Sequence, residues 1–181
     1  EPMKTIKLVC AGFGGQGVLS MGQMVALMAM KKGFNTSWMP SYGPEMRGGT
    51  ANCQVVIDDA EIASPIIAEG ITLLLAMNQM ALSKFQPKLE KGAWLIVNES
   101  LVNTDHVPSD IHILKVDFNA IATEIGNPKV QNMAALGTLT AHLDIFNKQD
   151  GLDIIQEKFG SKNPELTLLN QKAYEKAYDL H

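Results

Sequence analysis

Two glycine-rich segments hold the residue types best suited to binding in this 181-residue chain. The first runs Ala11-Gly12-Phe13-Gly14-Gly15-Gln16-Gly17 and spaces Gly12, Gly14 and Gly17 as G-x-G-x-x-G. Between a strand and a helix, such glycines let backbone N–H groups approach a diphosphate, while the helix N-terminus adds partial positive charge. A dinucleotide site also needs an acid about 20 residues on, placed to bind the ribose hydroxyls. Residues 35–41 read Asn-Thr-Ser-Trp-Met-Pro-Ser and the next acid is Glu45, so that ribose ligand is missing. The alternative is a tight strand-to-helix turn whose glycines serve close packing only. Gln16, at the start of the helix, is unusual for packing alone and is placed to reach a ligand.

The second segment, Pro40 to Asn52, carries two prolines and three glycines within its first ten residues, which makes a shaped loop. Within it sit Tyr42, Gly43, Glu45, Arg47, Gly48 and Gly49. Arg47 is the one arginine, against 14 lysines. Its guanidinium can make planar, bidentate contacts to carboxylate or phosphate that lysine cannot copy. Gly48 and Gly49 let main chain come close to a bound group or a neighbouring chain. The plainer alternative pairs Arg47 with Glu45 on the surface, worth well under about 1 kcal/mol.

Alternating strand-length and helix-length segments would position these loops. Strands are predicted at Ile6 to Ala11, Asn35 to Met39, Ala51 to Ile57, Leu73 to Met77, Ala93 to Asn98 and Ile111 to Val116. Helices are predicted at Gly15 to Met30, from a cap at Asn78 to a limit at Pro87, and near 118–125, 130–146, 151–159 and 164–180. The expected fold is α/β: three layers, α/β/α, on a mostly parallel or mixed sheet, with a Rossmann-like first βα unit and a helical C-terminal region. The last three helical segments carry most of the surplus acid and are expected to form a solvated cover. Residues 3–181 are expected to make a single domain, with Glu1-Pro2 before Met3 read as an expression scar.

Charge and composition narrow the function. Through residue 90 there are 7 basic and 7 acidic side chains, and beyond it 8 and 12, so the net −4 belongs to the second half. No basic excess exists for a nucleic-acid backbone. The 23 uncharged residues between Lys7 and Lys31 contain five glycines, which break them into a strand and a helix too short to span a bilayer. Cys10 and Cys53 are too few for a tetrathiolate metal centre and are read as buried small hydrophobes in a cytoplasmic protein. Met21, Met24 and Met28 share a helical stripe with Val25 and are read as core, with a subunit contact as the alternative. His106, His112 and His142 offer no metal spacing, and no nucleophile–base–acid set is legible, so neither catalytic residues nor metal ligands are assigned.

Taken together, Gly-Phe-Gly-Gly-Gln-Gly-Val (12–18), Ser-Tyr-Gly-Pro-Glu-Met-Arg-Gly-Gly-Thr-Ala (41–51), Ser64-Pro65 and Asn-Met-Ala-Ala-Leu-Gly (132–137) resemble the gamma subunit of 2-oxoacid:ferredoxin oxidoreductases of the pyruvate, 2-oxoglutarate and ketoisovalerate type. The resemblance runs in order over nearly the whole chain from Met3. It departs where relatives often place an acid before the buried apolar strand, since this chain has Gly70-Ile71-Thr72. It implies a hetero-oligomer in which thiamine diphosphate, iron–sulfur clusters and coenzyme A are held mainly by alpha-, beta- and delta-type companions. Electrons then pass to ferredoxin, and the chain alone binds no cofactor. The thiamine diphosphate signature, Gly-Asp-Gly followed by Asn-Asn, is absent. Carried over by position, Gly14, Gly15, Gln16 and Gly17, with Tyr42, Gly43, Glu45, Arg47, Gly48 and Gly49, are expected in loops facing the active site or the subunit interface. Two other readings stay open: a stand-alone nucleotide- or coenzyme-binding module, and a structural scaffold. No nucleic-acid or membrane partner is expected.

Overall fold

A computed structural model of the chain describes residues 3–43 and 50–181. The expected scar, Glu1-Pro2, lies outside the described residues. The first strand, β1 (Ile6–Phe13), is followed by a 3-10 turn at Gly14–Gln16 and helix α1 (Val18–Lys31). Strands β2 (Asn35–Gly43), β3 (Thr50–Asp58) and β4 (Ile71–Ala76) come next. Helix α2 (Gln79–Phe85) precedes β5 (Leu89–Asn98) and β6 (His112–Val116). The chain then turns helical through α3 (Phe118–Ile125), α4 (Gln131–His142), α5 (Lys148–Phe159) and α6 (Pro164–Tyr178).

The six strands form one sheet in the order β2-β3-β1-β4-β5-β6. β1, β4, β5 and β6 run parallel, whereas β3 is antiparallel to both β1 and β2. The sheet is therefore mixed, with a parallel half and an antiparallel hairpin. Leu73, Leu74 and Leu75 are all buried because β4 is covered on both faces, which is why its sequence is a continuous apolar run.

Apolar residues alternate between two cores. Leu8, Cys10, Cys53, Val55, Leu73, Leu75 and Ile96 face a core filled from α1, α3, α4, α5 and α6. Val9, Ala11, Val56, Leu74, Ala76, Leu95 and Val97 face the other, which is closed by α2 and the loop residues Ile67 and Ile111. The layers are thus three, with the helices divided very unequally between the two faces. Met21, Met24 and Met28 are buried in the first core, so the methionine stripe packs against the sheet.

Helix starts follow side-chain chemistry. The side chains of Asn78, Asp117, Asn147 and Asn163 each accept a first-turn N–H of α2, α3, α5 and α6, and Pro164 occupies the first turn of α6. The expectation for α4 fails. α4 is no solvated cover: every residue from Met133 to Thr140 is buried. Its small residues admit α6 so closely that a Cβ on Gly137 would lie 2.2 Å from the carbonyl oxygen of Tyr174. On the last two helices, Asp150 and Glu157 of α5, Glu175 of α6 and the capping Asp179 pair with lysines.

Candidate functional site

Strand pairing brings the two glycine segments to one edge of the sheet. Thr50, the first residue of β3, is the register partner of Phe13 at the end of β1 and of Gly43 at the end of β2. The next rung aligns Gly12, Ala51 and Tyr42. The first loop therefore leaves the sheet beside the point where the second leaves at Gly43 and returns at Thr50. This is the edge formed by the carboxyl ends of the parallel strands, where ligands of open α/β sheets bind. Glu45, Arg47, Gly48 and Gly49 lie outside the described residues, whereas Tyr42 and Gly43 are the last two residues of β2.

The first loop is built by one side chain and one left-handed glycine. Gly14, Gly15 and Gln16 form the 3-10 turn, and Gly17 (φ 70°, ψ 21°) opens α1. A Cβ at Gly17 would lie 2.5 Å from Nδ2 of Asn132, so the turn fits closely against α4 and its backbone strongly favours glycine. Gln16 turns inward and is 8% exposed. Its Oε1 accepts the Phe13 N–H at 2.7 Å and Asn78 Nδ2 at 3.1 Å, while its Nε2 donates to the Met77 carbonyl at 3.2 Å. Asn98 continues the network, donating to the Met77 carbonyl at 3.5 Å and to Oδ1 of Asn119 at 3.0 Å.

Sequence alone marks Gln16 as facing a ligand and Asn78 as a helix cap, and does not join these amides into one network. No periodicity links Gln16 to partners some sixty residues away. Their arrangement bears on the dinucleotide reading. A Cβ at Gly12 would lie 2.4 Å from Oε1 of Gln16, so Gly12 makes room for an internal amide at the place where such folds seat a diphosphate.

Among the described residues, this edge holds a small groove. Ala11, Gly12, Asn52, Met80, Lys84 and Phe85 line a groove of about 80 Å³, far below the roughly 300–1,000 Å³ of ordinary cofactor sites. A cleft of about 350 Å³ lies at the far end of β1 and β3, between Thr5, Lys7, Asp58 and the segment ending at Ile67. It is remote from both glycine segments, and of its two acids, Asp58 and Glu61, the first is already engaged: the Thr5 hydroxyl and the Ala60 N–H bond to Asp58 and hold its carboxyl below the usual range. The loop edge, where two independent sequence signals meet, is therefore the better candidate.

The remaining chemistry-bearing groups are structural in their contacts. Cys10 and Cys53 face one another across β1 and β3, both buried and free. The hydrogen bond with Cys53 and burial push the Cys10 thiol up, which disfavours thiolate chemistry there. Trp94 stacks on His112 and meets His142 edge-on, with ring centroids 4.9 Å apart in each pair. Among the described residues, no three His, Cys, Asp or Glu side chains group as metal ligands, and no helix is long and apolar enough to cross a membrane.

Fold and described residues together define an α/β unit on a mixed six-stranded sheet, with both glycine segments converging at one sheet edge. Residues 7–180 match the family described as pyruvate ferredoxin/flavodoxin oxidoreductase. The chain is 35% identical, over 98% of its length and 95% of the relative's, to the 2-oxoglutarate synthase subunit KorC of Methanocaldococcus jannaschii. It is 33% identical over 97% of its length to the ketoisovalerate oxidoreductase subunit VorA of Methanothermobacter marburgensis, but spans only 36% of that protein. Its fold matches the gamma subunit of a keto/oxoacid ferredoxin oxidoreductase from Geobacter sulfurreducens, with a TM-score of 0.78, 28% identity and 96% of both chains covered. The chain belongs to the pyruvate ferredoxin/flavodoxin oxidoreductase family.

Proposed function

We propose that the chain is the gamma subunit of a multi-subunit 2-oxoacid:ferredoxin oxidoreductase. It would support coenzyme A-dependent oxidative decarboxylation of 2-oxoglutarate, pyruvate or a branched-chain 2-oxoacid in the cytoplasm, with electrons passing to ferredoxin. The observation that carries this reading is the meeting of both family-matching glycine segments at one sheet edge, where the described residues line a small groove. Loops with little pocket behind them suit a surface completed by another chain. In support, the match to VorA leaves nearly two thirds of that protein outside the shared region.

The cofactors divide accordingly. An iron–sulfur cluster does not fit this chain: its two cysteines are buried and opposed across one strand pair, whereas a cluster needs about four thiolates. Thiamine diphosphate supplies the carbanion chemistry of decarboxylation when bound, and its site belongs to alpha-, beta- or delta-type companions. Residues 3–181 then act as one domain whose contribution is positional. Gly14, Gly15 and Gly17 offer main chain without side-chain bulk beside the inward-turned Gln16, and Tyr42 and Gly43 at the end of β2, with Glu45, Arg47, Gly48 and Gly49 after it, face a companion or the coenzyme, the Arg47 guanidinium being suited to a carboxylate or phosphate. Co-expression of the chain with thiamine-binding and ferredoxin-like companions tests this. A stable complex that copurifies at fixed stoichiometry is expected; failure to associate under anaerobic, cofactor-replete conditions would contradict it.

A further inference from the structure

The loop edge has one anchoring side chain of its own. Gly14, Gly15 and Gly17 carry no side chain, and the glycine at the start of α1 makes no side-chain cap. Among the described residues, Gln16 is the side chain that ties the turn to the sheet, through its three bonds to Phe13, Met77 and Asn78. Its oxygen takes two hydrogen bonds and its nitrogen makes one: Oε1 accepts from two N–H groups and Nε2 donates one N–H to a carbonyl. Asn78 in turn caps α2 through Ala81 at 2.9 Å, and the Met77 N–H bonds to Ala11 at 2.9 Å, so the same few atoms fix the end of β1, the end of β4 and the start of α2.

We propose that Gln16 is a positioning residue: its buried amide latches the first glycine loop across the ends of β1 and β4 and so holds the surface that companion subunits meet. The proposal rests on the gamma-subunit reading for its functional half, but the latch itself belongs to this chain alone. The polarity of the amide is the essential property. A carboxylate in its place still accepts from Phe13 and Asn78, but its second oxygen faces the Met77 carbonyl, where only a donor is tolerated. A buried carboxyl has a raised pKa, and once protonated its O–H can donate to Met77 as the amide does. Around these atoms the bonded partners are uncharged. Lys84 of α2 lines the groove beside Gly12, and Asp117 caps α3 at Ala120.

Gln16→Glu, Gln16→Ala and the parent are compared in two assays. Hydrogen exchange at the amides of residues 13–17 is followed in the full chain at about pH 6 and about pH 8, and viologen reduction is followed in the assembled complex over the same range. In Gln16→Ala, exchange is expected to be roughly tenfold faster or more at both pH values, in line with the loss of buried hydrogen bonds. In Gln16→Glu, it is expected to be as fast at pH 8 and to return toward the parent rate at pH 6. Turnover relative to the parent is expected to follow the same pattern, with the Glu variant rescued by acid and the Ala variant not. Exchange equal to the parent's in both variants would overturn the latch. Altered exchange with unchanged turnover would overturn its positioning role. A parent chain that forms no active complex would instead contradict the gamma-subunit reading and leave the exchange result to stand by itself.

Discussion

Gly17 shows how one backbone angle and one neighbour fix the loop. At φ 70° any side chain is strained, and Asn132 lies 2.5 Å from where a Cβ would be placed. Gly17→Ala is expected to cost about 2 kcal/mol from the two effects together, lowering Tm by roughly 4–8 °C for a chain of this size. Adding Asn132→Ala should recover only the part due to contact, because the angle remains. Thermal unfolding of the two variants separates the contributions. Arg47 is argued from chemistry alone, since its surroundings lie outside the described residues. If it grips a carboxylate or phosphate in the complex, Arg47→Lys should lower turnover of the complex by about tenfold, given the loss of a bidentate pair, and leave the Tm of the chain unchanged. Equal turnover in the two complexes would return Arg47 to an ordinary surface pair.

Among the elements, α1 and α4 are held by close approaches of different hardness. A Cβ on Gly22 of α1 would lie 2.2 Å from Sγ of Cys53, whereas one on Gly137 of α4 would meet the backbone of Tyr174 at the same distance. Gly22→Ala should therefore destabilise by about 1–3 kcal/mol and be largely rescued by Cys53→Ala. Gly137→Ala should be worse, with no comparable partner to trim; urea melts of the three variants check the contrast. At the end of α4, burial holds His142 below its ordinary value, with the charge of His181 adding to the effect and Asp144 opposing it. The fold thus favours neutral His142. Its contribution is complete above the ordinary value of 6.5 and is lost as pH falls through the lower folded value. Tm should drop on acidification below about pH 6.5, and His142→Phe, which keeps an aromatic ring beside Trp94, should flatten part of that drop. Much of this layer was legible in sequence. The strand cores of β1, β3, β4 and β6, the cap at Asn78 and the helices from Phe118 onward follow from apolar runs, capping residues and period. The start of β5 was not, because its register shifts near Gly92 (φ 79°), where exposed polar residues hide a strand behind an irregularity. Nor could amphipathicity reveal that five of the six helices share one face: an apolar stripe says that a helix is covered, not by which side of the sheet. Residue type and position at a helix start point Gln16 toward a ligand, whereas its side chain turns inward onto Met77 and Asn78, contacts that no local pattern encodes.

For the molecule as a whole, sequence and structure agree on a division of labour. The charge-neutral first half carries both glycine segments and the edge where they meet, while the second half holds the excess acid, of which Asp150, Glu157, Glu175 and Asp179 pair with lysines. The two cysteines, too few for a cluster, are buried in the sheet. Family membership accounts for this pattern without asking the chain to hold redox groups. The central claim is that the chain works only as part of a larger assembly. The most direct test is anaerobic reduction of a viologen dye with 2-oxoacid, coenzyme A and thiamine diphosphate, by the purified chain, by its companion subunits without it, and by the reconstituted complex. Reduction by the complex alone is predicted. Turnover by the isolated chain, or undiminished turnover by the companions without it, would contradict the account.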